Sequence, residues 1–203
     1  MLKKEAKEGL DDIYVVGCGP SLKGFNWSLL SNKTTIAING SLPDVPQPDY
    51  FLTADSFFAK RAVNMKFWGK QTYKVIVMSQ THRKFSAIKP LLSLYDYWII
   101  PKHGDGHIGF SEDEFSTGQN SGFSGMQLAV IFGAKRIHLL GIDLCCVSPV
   151  RPNYHNRYRS RIPDEFFGMF QTAINTLKQN NVEIISHSPI SRLNGLVEFS
   201  NNI

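Results

Sequence analysis

The sequence predicts an α/β domain, and three observations predict it. Short apolar runs of strand length alternate with longer segments of helical period, the pattern of a mostly parallel sheet covered by helices. The 203 residues suit one domain with a sizeable core. Small and polar residues follow several of the runs, at the carboxyl ends where open parallel sheets receive ligands. Together these give a single Rossmann-like domain over residues 1–203, its mostly parallel sheet of about six or seven strands flanked by helices. Residues 1–11 read as a flexible N-terminal extension.

The elements follow in order. Residues 13–17 (IYVVG) form a short apolar run, as a strand buried on both faces requires. Residues 34–39 (TTIAIN), 50–55 (YFLTAD), 73–79 (YKVIVMS) and 95–100 (YDYWII) read as the next strands. Residues 136–143 (RIHLLGID) and 182–186 (VEIIS) complete the set. Helices are expected over 56–64, 122–132 and 164–179. The second carries Phe123, Met126, Leu128, Ala129 and Val130 and stops at Gly133, a left-handed C-cap position. The third places Phe166, Phe167, Phe170, Ile174 and Leu177 at helical spacing, a core face. Residues 102–118 and 145–161 fit no element, and long irregular loops after strands tend to be functional.

Composition bounds the class. A chain 42% hydrophobic and 19% charged is ordinary for a soluble globular protein. No apolar run approaches the roughly 18–20 residues that span a membrane. Residues 1–12 are charged and lack a signal-peptide core, so a cytoplasmic location is expected. Three cysteines, two of them adjacent at Cys145 and Cys146, make neither a disulfide framework nor a metal knuckle. The net charge of +5 suits an anionic ligand; nucleic acid is permitted by it and required by nothing. Arg151, Arg157, Arg159 and Arg161 crowd one loop, where guanidinium groups match phosphate or carboxylate and equally suit a solvated surface.

Several segments carry chemistry. The first strand runs into Gly17-Cys18-Gly19-Pro20-Ser21, where two glycines permit close backbone approach to a ligand and Ser21 adds a hydroxyl. The turn lacks the third glycine of the dinucleotide fingerprint and the Gly-Lys-Ser/Thr of the P-loop, so a structural turn is the competing reading. Asn39 and Asp55 end two further strands, each also explicable as a helix cap. Gln119-Asn120-Ser121-Gly122 opens a helix and reads as its N-cap, which leaves amides pointing forward. Asp143 ends the sixth strand, and the Arg-rich loop adds Tyr154, His155 and Tyr158. His155 is the candidate general base or acid, since an imidazole exchanges protons near neutrality and flanking arginines favour its neutral form. His103, Asp105 and His107 share a glycine-rich loop, but no fourth ligand stands near them and they are not assigned as a metal site. His82, His138 and His187 read as ordinary surface or satisfied residues.

The Gly-Cys-Gly-Pro-Ser-Leu-Lys run followed by Phe25-Asn26-Trp27-Ser28-Leu29-Leu30 resembles the first turn of the Campylobacter-type sialyltransferases (glycosyltransferase family 42). It also resembles the MptE-like proteins, a 6-hydroxymethylpterin diphosphokinase-like domain common in phage and flagellin-glycosylation proteins. The longer match is Asn120-Ser121-Gly122, Leu128-Ala129-Val130, Gly133-Ala134-Lys135-Arg136-Ile137 and Leu139-Leu140-Gly141-Ile142-Asp143. Residues 182–188 with Pro189 fit the tail, so the likeness covers nearly the whole chain, loops excepted.

The resemblance implies a Rossmann-like transferase with a nucleotide-activated donor, a CMP-sugar type in the sialyltransferases, and a hydroxyl acceptor. By position it gives Gly17, Cys18, Gly19, Pro20, Ser21, Asn39, Asp55, Asn120, Ser121, Gly122 and Asp143 as the nucleotide rim. It gives His155 as the base, with Tyr154, Tyr158, Arg157 and Arg159 near the phosphate. It also implies a homo-oligomer. Two departures stand out. Cys18 replaces an asparagine that contacts the donor, and Asp55 replaces a second one. A carboxylate at 55 would repel phosphate unless Mg²⁺ intervened, which leans toward the diphosphokinase branch. The alternatives are therefore a Mg-dependent pyrophosphokinase and a nucleotide-binding module without catalysis.

Overall fold

A computed structural model describes residues 10–64, 72–145 and 164–203. The strands are β1 (Asp12–Val16), β2 (Thr35–Ile38), β3 (Tyr50–Thr53), β4 (Tyr73–Val77), β5 (Tyr97–Ile99), β6 (Arg136–Leu140), β7 (Glu183–Ser186) and β8 (Glu198–Phe199). They form one sheet in the order β5-β4-β3-β2-β1-β6-β7-β8, and every pairing is parallel. The α/β, Rossmann-like expectation holds. All seven expected strands are present, most of them ending earlier than the apolar runs do. The last polar residues leave the ladder for turns, as Asn39 does at φ 54°. The added strand, β8, is two exposed residues long and has no apolar run to announce it.

The α-helices among the described residues are α1 (Ser56–Val63), α2 (Phe85–Ile88), α3 (Ser121–Ile131) and α4 (Glu165–Gln179). α3 and α4 cover one face of the sheet. There Phe123, Met126, Phe170, Ile174 and Leu177 are fully buried against β1, β2 and β6 residues such as Val15, Ile38 and Leu139. Phe123 and Phe170 meet edge to face at 5.4 Å; burial of each such side chain is worth about 1.5–3 kcal/mol. Nine of α3's residues are buried, from Gly122 through Val130, so it runs inside the protein rather than along its surface. It ends as expected, with Gly133 in the left-handed region at φ +81°. The opposite face is covered by α1, α2 and short 3₁₀ turns, through Leu22, Leu30, Ala59, Ala62 and Ile88.

The segment 102–118 is pinned rather than loose. Ile108 and Phe115 are buried in the core under α3 and α4. The buried Gln127 amide takes both polar groups of Gly109, accepting from its N–H at 2.9 Å and donating to its carbonyl at 2.6 Å. Of the expected N-terminal extension, Asp11 is tied in, its carbonyl accepting from the N–H groups of Lys135 and Arg136. No helix among the described residues is long and apolar enough to cross a membrane.

Candidate functional site

The chain leaves β1 for β2 through β5 on one side and returns to place β6 on the other. That arrangement makes the carboxyl ends of β1 and β6 the switch point of the sheet, the place at which open parallel sheets receive ligands. The glycine turn, Asp143 and the start of α3 meet there, and Asn39 and Asp55 follow the next two strands, β2 and β3.

The glycine turn follows β1 and packs directly on the residues after β6. Gly19 N–H donates to the Gly141 carbonyl at 2.8 Å, and Gly17 N–H to that of Leu140 at 2.8 Å. A Cβ on Gly17 would lie 2.5 Å from Ile142 Cδ1 and 2.6 Å from the Gly141 oxygen, and one on Gly19 would strike the Asp143 carboxylate. Only glycine fits either position. The same Ile142 methyl would meet a Cβ on Gly122 at 2.8 Å, so the turn and the start of α3 are wedged against one side chain.

Asp143 is 2% exposed. Its Oδ2 accepts from the Ser21 N–H at 2.8 Å and its Oδ1 from the Ser21 hydroxyl at 2.7 Å. Both donors of Ser21 are therefore spent on the protein's own carboxylate. Pro20, which has no N–H, opens the 3₁₀ turn Pro20–Leu22. Behind Asp143 its carbonyl accepts from the Arg192 N–H at 2.9 Å, and the Ser191 hydroxyl donates to the Ile142 carbonyl at 3.0 Å. No cation pairs with Asp143 among the described residues.

The next strand ends are stitched to this turn. Ser41 Oγ donates to the Val16 carbonyl at 2.7 Å, and the Cys18 thiol points to the Ile38 carbonyl at 3.5 Å. Burial pushes that thiol up to about 12, so it stays protonated and unreactive at neutral pH. The Thr53 hydroxyl donates to Asn39 Oδ1 at 2.8 Å, which fixes the amide's orientation and leaves its Nδ2 without a partner among the described residues. Asp55 caps α1, its Oδ1 accepting from the Phe57 N–H at 2.7 Å. Asn120 caps α3 with Oδ1 to the N–H groups of Gly122 and Phe123, at 2.8 and 3.3 Å. Its Nδ2 likewise has no partner among the described residues. The capping readings of Asp55 and Asn120 are thus correct.

His155, Tyr154, Tyr158, Arg157 and Arg159 lie outside the described residues, as do Arg151, Arg161 and Cys146. In the 102–118 segment the His103 and His107 rings are 4.6 Å apart, and Asp105 Oδ1 accepts from the His107 N–H at 3.0 Å. No group of three His, Cys, Asp or Glu able to hold a metal occurs among the described residues.

Sequence reasoning missed a second polar cluster. A hollow of about 490 Å³ lies at the opposite edge of the sheet, bordered by Asp12, Tyr14, Lys33, Arg136 and His138. Its residues come from three strand starts with no shared motif, and alternation along β1 and β6 was the only hint.

No family model matches the chain, and no curated protein matches it in sequence. Its fold is similar to that of the sialyltransferase CstII from Campylobacter jejuni, solved in complex with a substrate analogue, cytidine-5'-monophosphate. The TM-score is 0.57 at 16% identity, over 95% of this chain and 86% of that chain. At that identity the likeness is one of fold. Neither the family models nor the curated sequences add to the MptE-like half of the resemblance.

Proposed function

We propose that the chain is a transferase using a nucleotide-activated donor, a sialyltransferase-like glycosyltransferase with a CMP-sugar type of donor. The observation that carries this is the pair of asparagine amides, Asn39 and Asn120, oriented by their own Oδ1 bonds with Nδ2 unpartnered. One follows β2 and the other opens α3, on the carboxyl side of the sheet, where a ligand's acceptors would complete them. The fold shared with an enzyme solved with cytidine-5'-monophosphate supports the nucleotide class.

In this reading Gly17 through Ser21 shape the rim and Ser121 offers a hydroxyl at the start of α3. His155 takes the proton of the acceptor hydroxyl as its oxygen attacks the sugar carbon. The bond from that carbon to the phosphate oxygen breaks, and Arg157 and Arg159 with Tyr154 and Tyr158 neutralise the departing phosphate.

A thermal-shift screen of CMP, CDP, UDP, GDP, ADP and ATP, each with and without Mg²⁺, tests it. CMP alone should stabilise the protein, by about 2.7 kcal/mol at a hundred times Kd. Asn39→Gly, which accepts the positive φ, should fold and lose that response. Stabilisation by ATP only with Mg²⁺ would transfer the assignment to pyrophosphoryl transfer through Asp55. No shift with any nucleotide at millimolar concentration would refute the site. Given binding, His155→Ala should cut transfer by about 10²-fold or more; full binding with no transfer by either protein would leave a binding module.

A further inference from the structure

The charge of the chain is unevenly shared. Residues 56–95 hold eight of its Lys and Arg residues and not one Asp or Glu, whereas the rest of the chain holds fourteen against seventeen. One stretch, beginning after Asp55 and ending before Asp96, thus carries more positive charge than the net +5 of the whole chain.

The fold brings the helical parts of that stretch to one side. It contains α1, β4, α2 and the 3₁₀ turn Lys89–Leu94, and α1, α2 and the turn cover the face of the sheet opposite α3 and α4. The Tyr95 hydroxyl donates to the Ala59 carbonyl at 2.9 Å, which fastens the end of the turn to α1. Ala59, Ala62 and Ile88 are buried against the sheet, and the basic residues are left outside. Lys60, Arg61, Arg83, Lys84 and Lys89 are all exposed. None of the five makes an ion pair among the described residues. Lys74, by contrast, is held by Asp96 at 3.5 Å. Lys66 and Lys70 lie outside the described residues.

Apolar side chains stand among these charges. The exposed positions of α1 and its C-cap are Phe57, Lys60, Arg61 and Asn64, so the Phe57 ring and two cations share one helical stripe. Phe57 is 50% exposed, and Leu94, at the end of the turn, is 44% exposed. Five cations without a counter-charge repel one another, and an anionic surface relieves that repulsion. A nucleic acid would answer the charges and would stack on Phe57, but it offers an aliphatic side chain such as Leu94 little. A lipid surface answers both, with anionic headgroups for the cations and an acyl boundary for Phe57 and Leu94.

We propose that this face docks on an anionic lipid surface. Lys60, Arg61, Arg83, Lys84 and Lys89 lie among the headgroups, and Phe57 and Leu94 reach the acyl boundary. The chain lies on the lipid and does not cross it. The docking is independent of the proposed transfer, since none of these residues is assigned to the nucleotide rim.

The test is co-sedimentation of the full chain with vesicles of phosphatidylcholine alone, and of phosphatidylcholine and phosphatidylserine in equal parts. The chain should pellet with the second kind and stay in solution with the first. It should be released as salt rises toward 1 M, where charges are screened within about 3 Å. Combining Arg61→Gln, Lys84→Gln and Lys89→Gln should weaken the partitioning by about 10²-fold, while Lys178→Gln, on α4 across the sheet, should change it by about twofold or less. Combining Phe57→Ser with Leu94→Ser should weaken it by about tenfold and leave its salt dependence as it was. Equal behaviour with the two kinds of vesicle would overturn the proposal, and so would unchanged binding by either combined variant. Tighter binding to single- or double-stranded DNA than to the anionic vesicles, at equal phosphate, would give the face to nucleic acid instead. If a variant does not fold, the lipid preference and the DNA comparison of the unaltered chain decide alone.

Discussion

Asp143 and Asp12 stand on neighbouring strands and resolve the same difficulty in opposite ways. Asp143, after β6, is buried with neutral donors only, the N–H and hydroxyl of Ser21. Asp12, at the start of β1, holds a guanidinium and an imidazole and is 35% exposed. Around Asp143 the rim has donors to spare, since Asn39 and Asn120 each keep an unpartnered Nδ2 among the described residues. Asp12 instead heads a histidine line, its Oδ1 2.8 Å from His138 Nε2, His138 Nδ1 2.8 Å from His187 Nε2, and His187 Nδ1 2.8 Å from the Ser200 carbonyl oxygen. A rim with spare donors is suited to receive a ligand, whereas the polar groups around Asp12 are spent on one another. The polar groups of one sheet are thus divided between two tasks by their hydrogen inventories, and neither cluster needs the other.

The sharpest way to break this contrast is at Asp143. Asp143→Ala strands two Ser21 donors in a buried turn. Hydrogen bonds to a charged group are worth about 1.5–3 kcal/mol each, so a loss of about 3 kcal/mol or more is expected by urea unfolding. Asp143→Asn should cost clearly less, because one Ser21 bond survives and the uncompensated charge is gone. Equal losses would mean that the carboxylate's charge, rather than its bonds, holds the turn.

Gln127→Leu comes next. It removes both partners of the buried Gly109 peptide groups while keeping α3's volume, and about 1–3 kcal/mol should be lost. The loss should appear as faster hydrogen exchange across residues 102–118, with the rim unaffected. Gly19→Ala should cost a similar or smaller amount, about 1–3 kcal/mol of overpacking against Asp143. Here the rim should respond, and the thermal shift with CMP should shrink.

What could be read in advance follows the same division. The strands, α3 with its Asn120 cap and Gly133 stop, and the glycine turn are local features, and local periodicity or turn chemistry reveals them. The rim was legible because most of its members follow strands of a parallel sheet and the rest open the helix that leads into β6. Three kinds of feature left no local trace. β8 has two exposed residues, too few for a pattern. Gln127 reaches Gly109 across eighteen positions, and its polar side chain sits on an otherwise apolar helix. The histidine line joins positions 126 and 49 apart in sequence. His138 and His187 each look like a satisfied residue, which each is; that they satisfy one another can be seen only in space.

The acid limb of stability offers the smallest effect and the finest separation. Burial is the main reason His187 is held down to about 4 from an ordinary 6.5, so folding excludes its proton. A group depressed in this way contributes stability above its unfolded value and loses it as pH falls through the folded one. Stability should therefore decline between pH 6.5 and about 4 on this account alone. Asp12 adds a second decline lower down, present above 3.8 and lost as pH falls through about 2. His187→Gln retains an amide donor for the Ser200 carbonyl and cannot titrate. Urea midpoints measured against pH should lose the upper decline in this variant and keep the lower one. If both declines persist, the acid sensitivity arises elsewhere than in the line. If both vanish, Asp12 owes its low value to His187 through His138 rather than to Arg136, and the two ends of the line act as one unit.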